Sequence, residues 1–587
     1  MKRLTALLLC LCMCAPFACV SARASSFAVV LTPLWDENGQ IGSVDLRFYT
    51  DKPHVAYIGI NAFMAAMTNE ELTVTPQEDK TWLVANDHGY TLLVNPASGT
   101  VYAEDWNSFQ KNGLQYIREK RSIKDTSCSW TAVDGIDVTG EPKPVTFDFA
   151  KYGIDIYADK NDVYFPLALL TDMMEEESLD LLLYNGEKLQ KCSINMDNIY
   201  TLADGYFESD YMRKMLNGET PRAADLIRES YAELCFVMDY FYGHPGRGTL
   251  DKAIAEKGLD AAISDLPNGE SIREQLHSAD IVEYYDGLND LICDGLYDGH
   301  TTIQSLTMIE TQPLLYQNTY FGLMGEILDG LGRTWATLQL GVNGIVSSTR
   351  ESIWGTETYR ECGSTAIIRM DNFNPDEKGW LAWAAGTGEM PMDTLGIVYT
   401  GLEKAAANPA IRNVIFDLTL NTGGSQDLLC AILGLIDDNV DLCGYNVLTD
   451  QQMNAHFLTD KNMDGVIDEQ DKTAKYHFNY AVLTSWAAFS CGNLFPFMIR
   501  DLGGAVIGEA SGGGSCVVQI IMLSDGTPLT MSSYLWRLED ENGIPIEGGA
   551  QPDILLEGGK DKGDYSKFYD DEMLDRVVTE WFAGKEE

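Results

Sequence analysis

Tyr480-Ala481-Val482-Leu483-Thr484, then Ala488-Phe489-Ser490-Cys491-Gly492-Asn493, then the run Leu494 to Leu502: this stretch decides the reading of the chain. The first segment is a short apolar run of strand length, and the last has helical spacing. A serine at the turn between them stands where a nucleophile is useful. The N–H groups that open a helix point outward and can hold an oxyanion. A Ser-x-Gly turn alone is more often a helix N-cap than a nucleophile. The reading therefore needs partners elsewhere in the chain.

The same alternation extends outward. Thr365 to Met370, Val414 to Leu418 and Ala505 to Gly508 read as strands, and Leu395 to Ala407 reads as a helix. Strands alternating with helices predict an α/β core with a mostly parallel sheet over 362–575. In such sheets the active residues gather in loops at the C-terminal ends of the strands. Upstream, Ile227, Tyr231, Leu234, Met238 and Phe241 recur at three and four, which predicts a packed helical subdomain over 206–302. Residues 303–361 read as an insertion or linker. Residues 26–205 read as a β-rich N-terminal domain. In it, Val55 to Ile60 leads into a helical run at Ala62, and Val163 to Leu167 leads into another at Leu169. This weakly repeated strand-then-helix unit is similar to wall-associated modules called copper amine oxidase N-terminal-like domains, and it has no metal site that can be named.

Composition narrows the class. The 587 residues carry 41 Lys and Arg against 88 Asp and Glu, a formal charge of −47. That excess opposes nucleic-acid binding and docking on anionic lipid. Hydrophobic residues make up 45%, too many for a mainly disordered polymer. Lys2 and Arg3, the apolar run Leu4 to Val20, and Ala22-Arg23-Ala24 read as a secretion signal over 1–24. The run is interrupted by Pro16 and is short for a transmembrane anchor. Cleavage near Ala24 would remove three cations, take the charge to −50, and leave the protein secreted or in the cell envelope. Four of the 13 cysteines lie in that signal, and the nine others have no CxxC pair, so they form neither a disulfide framework nor a zinc site.

Three further segments supply what Ser490 needs. Asp298-Gly299-His300-Thr301 holds one of seven histidines, and a histidine has the pKa of a general base at neutral pH. Asp417-Leu418-Thr419-Leu420-Asn421-Thr422-Gly423-Gly424 ends a strand in a double glycine that lets backbone approach a ligand. The amide of Gly423 or Gly424, with that of Cys491, could form an oxyanion hole. Glu547, in Ile546-Glu547-Gly548-Gly549-Ala550-Gln551-Pro552-Asp553, is a carboxylate placed to orient the histidine and complete a triad.

Together these segments resemble the C-terminal processing (tail-specific) serine peptidase family, tricorn-core branch, over roughly 222–570. Asp298–Thr301 matches its Asp-Gly-His-Thr. Asp417–Gly424 matches its Asp-Leu-Arg-x-Asn-x-Gly-Gly, with Thr419 in place of Arg. Ser490–Asn493 matches Ser-x-x-Glu, with Asn493 in place of Glu. Ile507–Gly514 matches Ile-Gly-Glu-x-x-x-Gly-Gly, and Glu547–Asp553 resembles the Pro-Asp ending with its second glycine one place early. Many members use a Ser–Lys dyad. Here Gly508 to Cys516 has no lysine, and the nearest downstream is Lys560. The resemblance therefore implies Ser490 as nucleophile, His300 as base and Glu547 as orienter, acting by acyl transfer to water on a peptide or protein substrate. It also favours Ser490 over the adjacent Cys491. No PDZ-like carboxylate loop is visible in 303–361. The alternative reading is a catalytically inactive relative that binds peptides or, through its first domain, the cell wall.

One segment stands apart. Asp460-Lys461-Asn462-Met463-Asp464-Gly465-Val466-Ile467-Asp468-Glu469-Gln470-Asp471 has EF-hand spacing. Side-chain oxygens of Asp460, Asn462, Asp464, Asp468 and Asp471 and the carbonyl of Val466 are the expected ligands of a structural Ca2+.

Overall fold

The computed structural model describes residues 26–585 apart from 37, 69–71, 111–129, 175–179, 194–208, 217, 304–334, 465 and 541. The expected signal at 1–24 and most of the 303–361 segment lie outside the described residues. Among the described residues no helix is long and apolar enough to cross a membrane.

The central sheet has six strands in the order Tyr359–Cys362, Thr365–Arg369, Asn413–Asp417, Asn479–Thr484, Ala505–Gly508 and Ile554–Leu555. The first pair is antiparallel and every other neighbouring pair is parallel. Its middle strands are buried on both faces, which is why they read as continuous apolar runs rather than alternating ones. Val414, Phe416 and Val482 pack with Leu395, Val398, Leu428 and Phe495 from the helices Thr394–Ala407, Gln426–Gly434 and Cys491–Asp501. Ile415, Ala481, Leu483 and Ile507 face the other way, against Val346 of the helix Trp335–Trp354 and Leu574 and Val578 of Asp571–Ala583.

Beside this layer lies a second sheet, in the order Thr302–Ile303, Pro528–Leu538, Val440–Asn446, Gln451–Thr459, Thr131–Thr139, with Cys516–Met522 also paired to Pro528–Leu538. Its last strand crosses the expected boundary of the 26–205 domain: Thr139 pairs with Gln452 and Thr131 with Thr459. Alternate side chains on that strand feed the same core, Ile136 packing in the cluster that holds Val414 and Leu428. Thr302 pairs with Thr530, so this sheet also fixes the segment that carries His300.

The rest of the N-terminal region is β-rich, as expected. The two strand-then-helix units are real: Lys52–Gly59 runs into Ile60–Met67, and Val163–Pro166 into Leu167–Met173. Their strands pair with each other, Phe165 opposite Ile58. The helical subdomain is more broken than its stripe suggested. Ala224–Tyr240 is followed by Thr249–Lys257, Leu259–Ile263, Gly269–Leu276 and Ile281–Asn289. Gly258, at φ +82, accounts for one break, since a Cβ there would meet Asp239 Oδ2 at 2.5 Å.

The end of the 303–361 segment is not a linker. Its strand Tyr359–Cys362 closes one edge of the central sheet, and its helix Trp335–Trp354 delivers Arg350 to the sheet's polar end. Arg350 is 1% exposed. It donates to Asp417 Oδ2 at 3.1 Å and to Asp371 Oδ1 and Oδ2 at 2.8 and 3.1 Å. Position 419, where the resemblance calls for an arginine, is Thr419, which donates to Asp417 Oδ1 at 2.6 Å. A guanidinium from another element thus neutralises the buried Asp417. Removing it would leave that carboxylate uncompensated, at a cost of about 3–5 kcal/mol. Arg350→Met is expected to lower the urea-unfolding free energy by that order, with Thr419→Val costing less.

Candidate active site

Ser490 stands after the strand Asn479–Thr484, at the N-cap of Cys491–Asp501. Its backbone is at φ +56, ψ −124, a conformation that L-residues rarely adopt. Such strain costs about 1–3 kcal/mol and persists only where the surroundings impose it. They do so here. Ser490 N–H donates to Gly513 O at 2.8 Å, and Phe489 N–H to Asn421 O at 2.9 Å. A sharp strand-to-helix turn of this kind exposes the hydroxyl. Gly492 is required below it, because a Cβ would meet Asn421 O at 2.1 Å.

The double-glycine turn lies against this serine. A Cβ on Gly423, at φ +107, would sit 2.7 Å from Ser490 Cβ. The Gly423 amide is not free, since it donates to Asn421 Oδ1 at 2.9 Å. That corrects its expected place in an oxyanion hole: the side chain that shapes the turn consumes the donor. Among the described residues the amides of Gly424 and Cys491 are not taken in this way, and the first residue of a helix has no intrahelical acceptor.

His300 reaches the serine turn from the second sheet. It is 9% exposed, and its ring packs on Phe489 with centroids 4.7 Å apart. Burial holds its pKa below the ordinary value, opposed by the charge of Asp298 and reinforced by that of Arg247. The neutral imidazole is therefore the resting form at pH 7. Its Nδ1 has no hydrogen-bond partner among the described residues.

Glu547 is buried, and its carboxylate is held by groups other than the imidazole. Its Oε2 accepts from Gly514 N at 3.0 Å, Ser515 N at 2.7 Å and Ser515 Oγ at 2.9 Å. Its Oε1 lies 2.5 Å from Arg247 Nε. The expected Glu547–His300 hydrogen bond is absent among the described residues, because Arg247 and the Gly514–Ser515 amides hold the carboxylate. Burial pushes the Glu547 pKa up to about 7, with Arg247 pulling the other way.

Neighbouring side chains bear on two open choices. Burial pushes the Cys491 thiol up to about 12, and its Sγ donates to Gly424 O at 3.2 Å, so it is a neutral packing group. Lys560 Nζ lies over the Trp486 ring at 4.1 Å, occupied there rather than at Ser490. Asn493 bonds where the resemblance calls for Glu. Its Nδ2 donates to Ile546 O at 3.0 Å and its Oδ1 accepts from Ser511 Oγ at 2.7 Å, which ties the serine helix to both the Glu547 segment and the glycine turn.

Residues 364–556 match the family described as peptidase family S41. The match covers about a third of the chain. No curated protein matches it. Among solved structures it is similar to the photosystem II D1 C-terminal processing protease, at 17% identity and TM-score 0.24, covering 36% of this chain and 46% of that one. The chain thus spans about half of that protease's length. A protein from Parabacteroides merdae described as a candidate peptidase gives 17% identity and TM-score 0.38, covering 61% and 96% of the two chains. The tricorn protease gives 13% and 0.28, covering 92% and 43%. The matched segment contains Ser490, Gly423, Gly424, Cys491 and Glu547, whereas His300 comes from outside it.

The expected calcium loop lies within the matched segment, between the strands Gln451–Thr459 and Asn479–Thr484. Asp471 accepts from the backbone of Lys461, Asn462 and Asp468, at 2.8, 3.2 and 2.8 Å. Asp460 and Asn462 accept from Asp464 N, and Asp464 accepts from Val466 N. Gly465 is outside the described residues. Among those described, no three His, Cys, Asp or Glu side chains are grouped to hold a metal.

Arg247 and Ser515 are the site residues that the motif reading missed. Arg247 lies in Gly246-Arg247-Gly248, where a cation flanked by glycines was the only available sign.

The Glu547 pKa has a thermodynamic consequence. A carboxyl whose folded pKa exceeds its unfolded value near 4.5 stabilises the fold fully below that value, and loses the contribution as pH rises to about 7. The loss is on the order of 3 kcal/mol. Urea denaturation at a series of pH values is expected to show that decline in the wild type and a flatter profile in Glu547→Gln.

Proposed function

We propose that this chain is an exported serine endopeptidase that hydrolyses peptide bonds through an acyl-enzyme ester. Ser490 is the nucleophile, and His300 acts first as general base and then as acid. The observation that carries the reading is the Ser490 backbone at φ +56, at a strand-to-helix turn of an S41 domain, with a buried imidazole packed on the preceding residue. Ser490 Oγ attacks the scissile carbonyl carbon while His300 accepts its proton. The amides of Gly424 and Cys491 receive the oxyanion. Collapse expels the amine, which takes the proton from His300. Water, deprotonated by the same imidazole, then cleaves the ester. Glu547 serves this site through the Gly514–Ser515 backbone. Catalytic hydrogen bonds are often loose without substrate, so the absence of a bonded Nδ1 does not remove His300 from the role.

Export rests on the Lys2 to Ala24 segment. Contact of residues 26–205 with the cell wall is part of the proposal, and co-sedimentation with purified peptidoglycan tests it. Calcium at 460–471 is likewise proposed, as a brace for the loop that leads into the serine strand. Stabilisation by a bound ion grows with its concentration, reaching about 2.7 kcal/mol at 100 times Kd. Added Ca2+ is expected to raise the unfolding midpoint of chelator-treated protein, and Asp471→Ala to abolish that rise. An unchanged midpoint in the wild type would remove the ion from the account.

A fluorophosphonate probe is expected to label the wild type at Ser490. Ser490→Ala should take no label, and His300→Ala should lose about 10³-fold or more in kcat/KM on a cleavable peptide. Hydrolysis that persists in Ser490→Ala sinks the assignment. A folded wild type that neither labels nor cleaves is a binding protein built on the S41 fold.

A further inference from the structure

Three buried polar atoms of the candidate site lack a hydrogen-bond partner among the described residues: His300 Nδ1, Glu547 Oε1 and Arg247 Nε. Buried polar atoms are almost always bonded, and two of these three, Arg247 Nε and Glu547 Oε1, face each other as an ion pair. Arg247 is common to the other two. Its Nε is 2.5 Å from Glu547 Oε1, a charge contact in which the N–H does not aim at the oxygen. Its Nη2 donates to Glu547 O at 2.7 Å and to Gly512 O. Gly513, at φ +93, is moulded to it, since a Cβ there would fall 2.1 Å from Nη2. Gly513 O in turn accepts the Ser490 amide at 2.8 Å. The guanidinium is thus one residue removed from the bond that holds the strained serine.

We propose that Arg247 is a positioning residue of this site, locking the Gly512–Gly514 turn behind Ser490, holding the Glu547 carboxylate and bringing its positive charge to bear on the His300 imidazole. Its catalytic consequence rests on the hydrolase reading; its effect on the imidazole does not. The guanidinium does two things. It opposes protonation of His300, and it favours the charged form of Glu547 against burial. The other groups facing this cluster are Asp298, which acts on both, the Tyr242 hydroxyl and Cys516 thiol, which burial keeps neutral, and the Tyr297 hydroxyl, raised by burial and opposed by Arg247. With the cation gone, Asp298 is the charge left beside the imidazole, so protonation of His300 moves to higher pH. The acid limb of kcat/KM moves with it.

The test is NMR titration of 13C-histidine-labelled full-length protein, with the His300 signal assigned by His300→Gln. Arg247→Gln is expected to raise the His300 midpoint by about half a pH unit or more, and Arg247→Lys to keep it near the wild-type value. Lysine cannot span Gly512 O, Glu547 O and Glu547 Oε1 together. Arg247→Lys should therefore lose about tenfold in kcat with little change in KM. If Arg247→Gln does not fold, the lysine variant decides alone: wild-type kcat in it overturns the proposal. A folded Arg247→Gln with an unmoved His300 midpoint overturns it too. A midpoint that moves in a protein that takes no fluorophosphonate leaves Arg247 in place and removes the hydrolase reading. Labelling with an unmoved midpoint does the reverse.

Discussion

Ser490 N–H bonded to Gly513 O at 2.8 Å, with Phe489 N–H on Asn421 O at 2.9 Å, holds a non-glycine residue at φ +56. Neither bond is local. One reaches the turn after the strand Ala505–Gly508, and the other the turn after Asn413–Asp417, the two strands that flank the serine strand in the sheet. The parallel register places three strand ends side by side, and the glycines at 423, 492, 513 and 514 let three backbones approach more closely than a Cβ would allow. The strained turn is thus a property of the sheet edge rather than of the serine segment.

Charged groups line that turn. Asp298 accepts from the His300 amide, Arg247 pairs with Glu547, and Glu547 accepts from the amides of Gly514 and Ser515. Arg247 and Glu547 offset each other, whereas Asp298 is held by neutral donors, the Thr301 and Tyr242 hydroxyls and the His300 amide. The cost falls on hydrogen bonding, where three atoms go without. Pre-organised sites commonly carry such local deficits.

The departures from the family pattern have physical answers nearby. Thr419 leaves Asp417 without the expected guanidinium, and Arg350 supplies one from a helix about 70 residues earlier in the chain. Asn493 replaces an acid with an amide whose two ends bond to Ile546 and Ser511, so it ties the serine helix to both neighbouring segments without adding a buried charge. Gly508 to Cys516 has no lysine and Lys560 lies over Trp486, which is why the proposed mechanism takes the imidazole at 300 as the base.

The chain by itself determined the periodic features. The sheet strands were legible because burial on both faces forces continuous apolar runs, and the turns because glycines cluster where backbones must pass. Thr365–Arg369, Asn413–Asp417, Asn479–Thr484 and Ala505–Gly508 fall within a residue of their expected bounds. Ser490 and His300 were legible as residue types set in turns that suit their chemistry. What tertiary structure alone decided was which charges meet. The spacing of 247, 300 and 547 along the chain carries no signal of contact, because side-chain pairing at such separations is set by how sheets and loops pack. For the same reason the strand Thr131–Thr139 left its expected domain for a sheet edge more than 300 residues away, and the Glu547 carboxylate, free to choose between an imidazole and a guanidinium, went to the fixed charge.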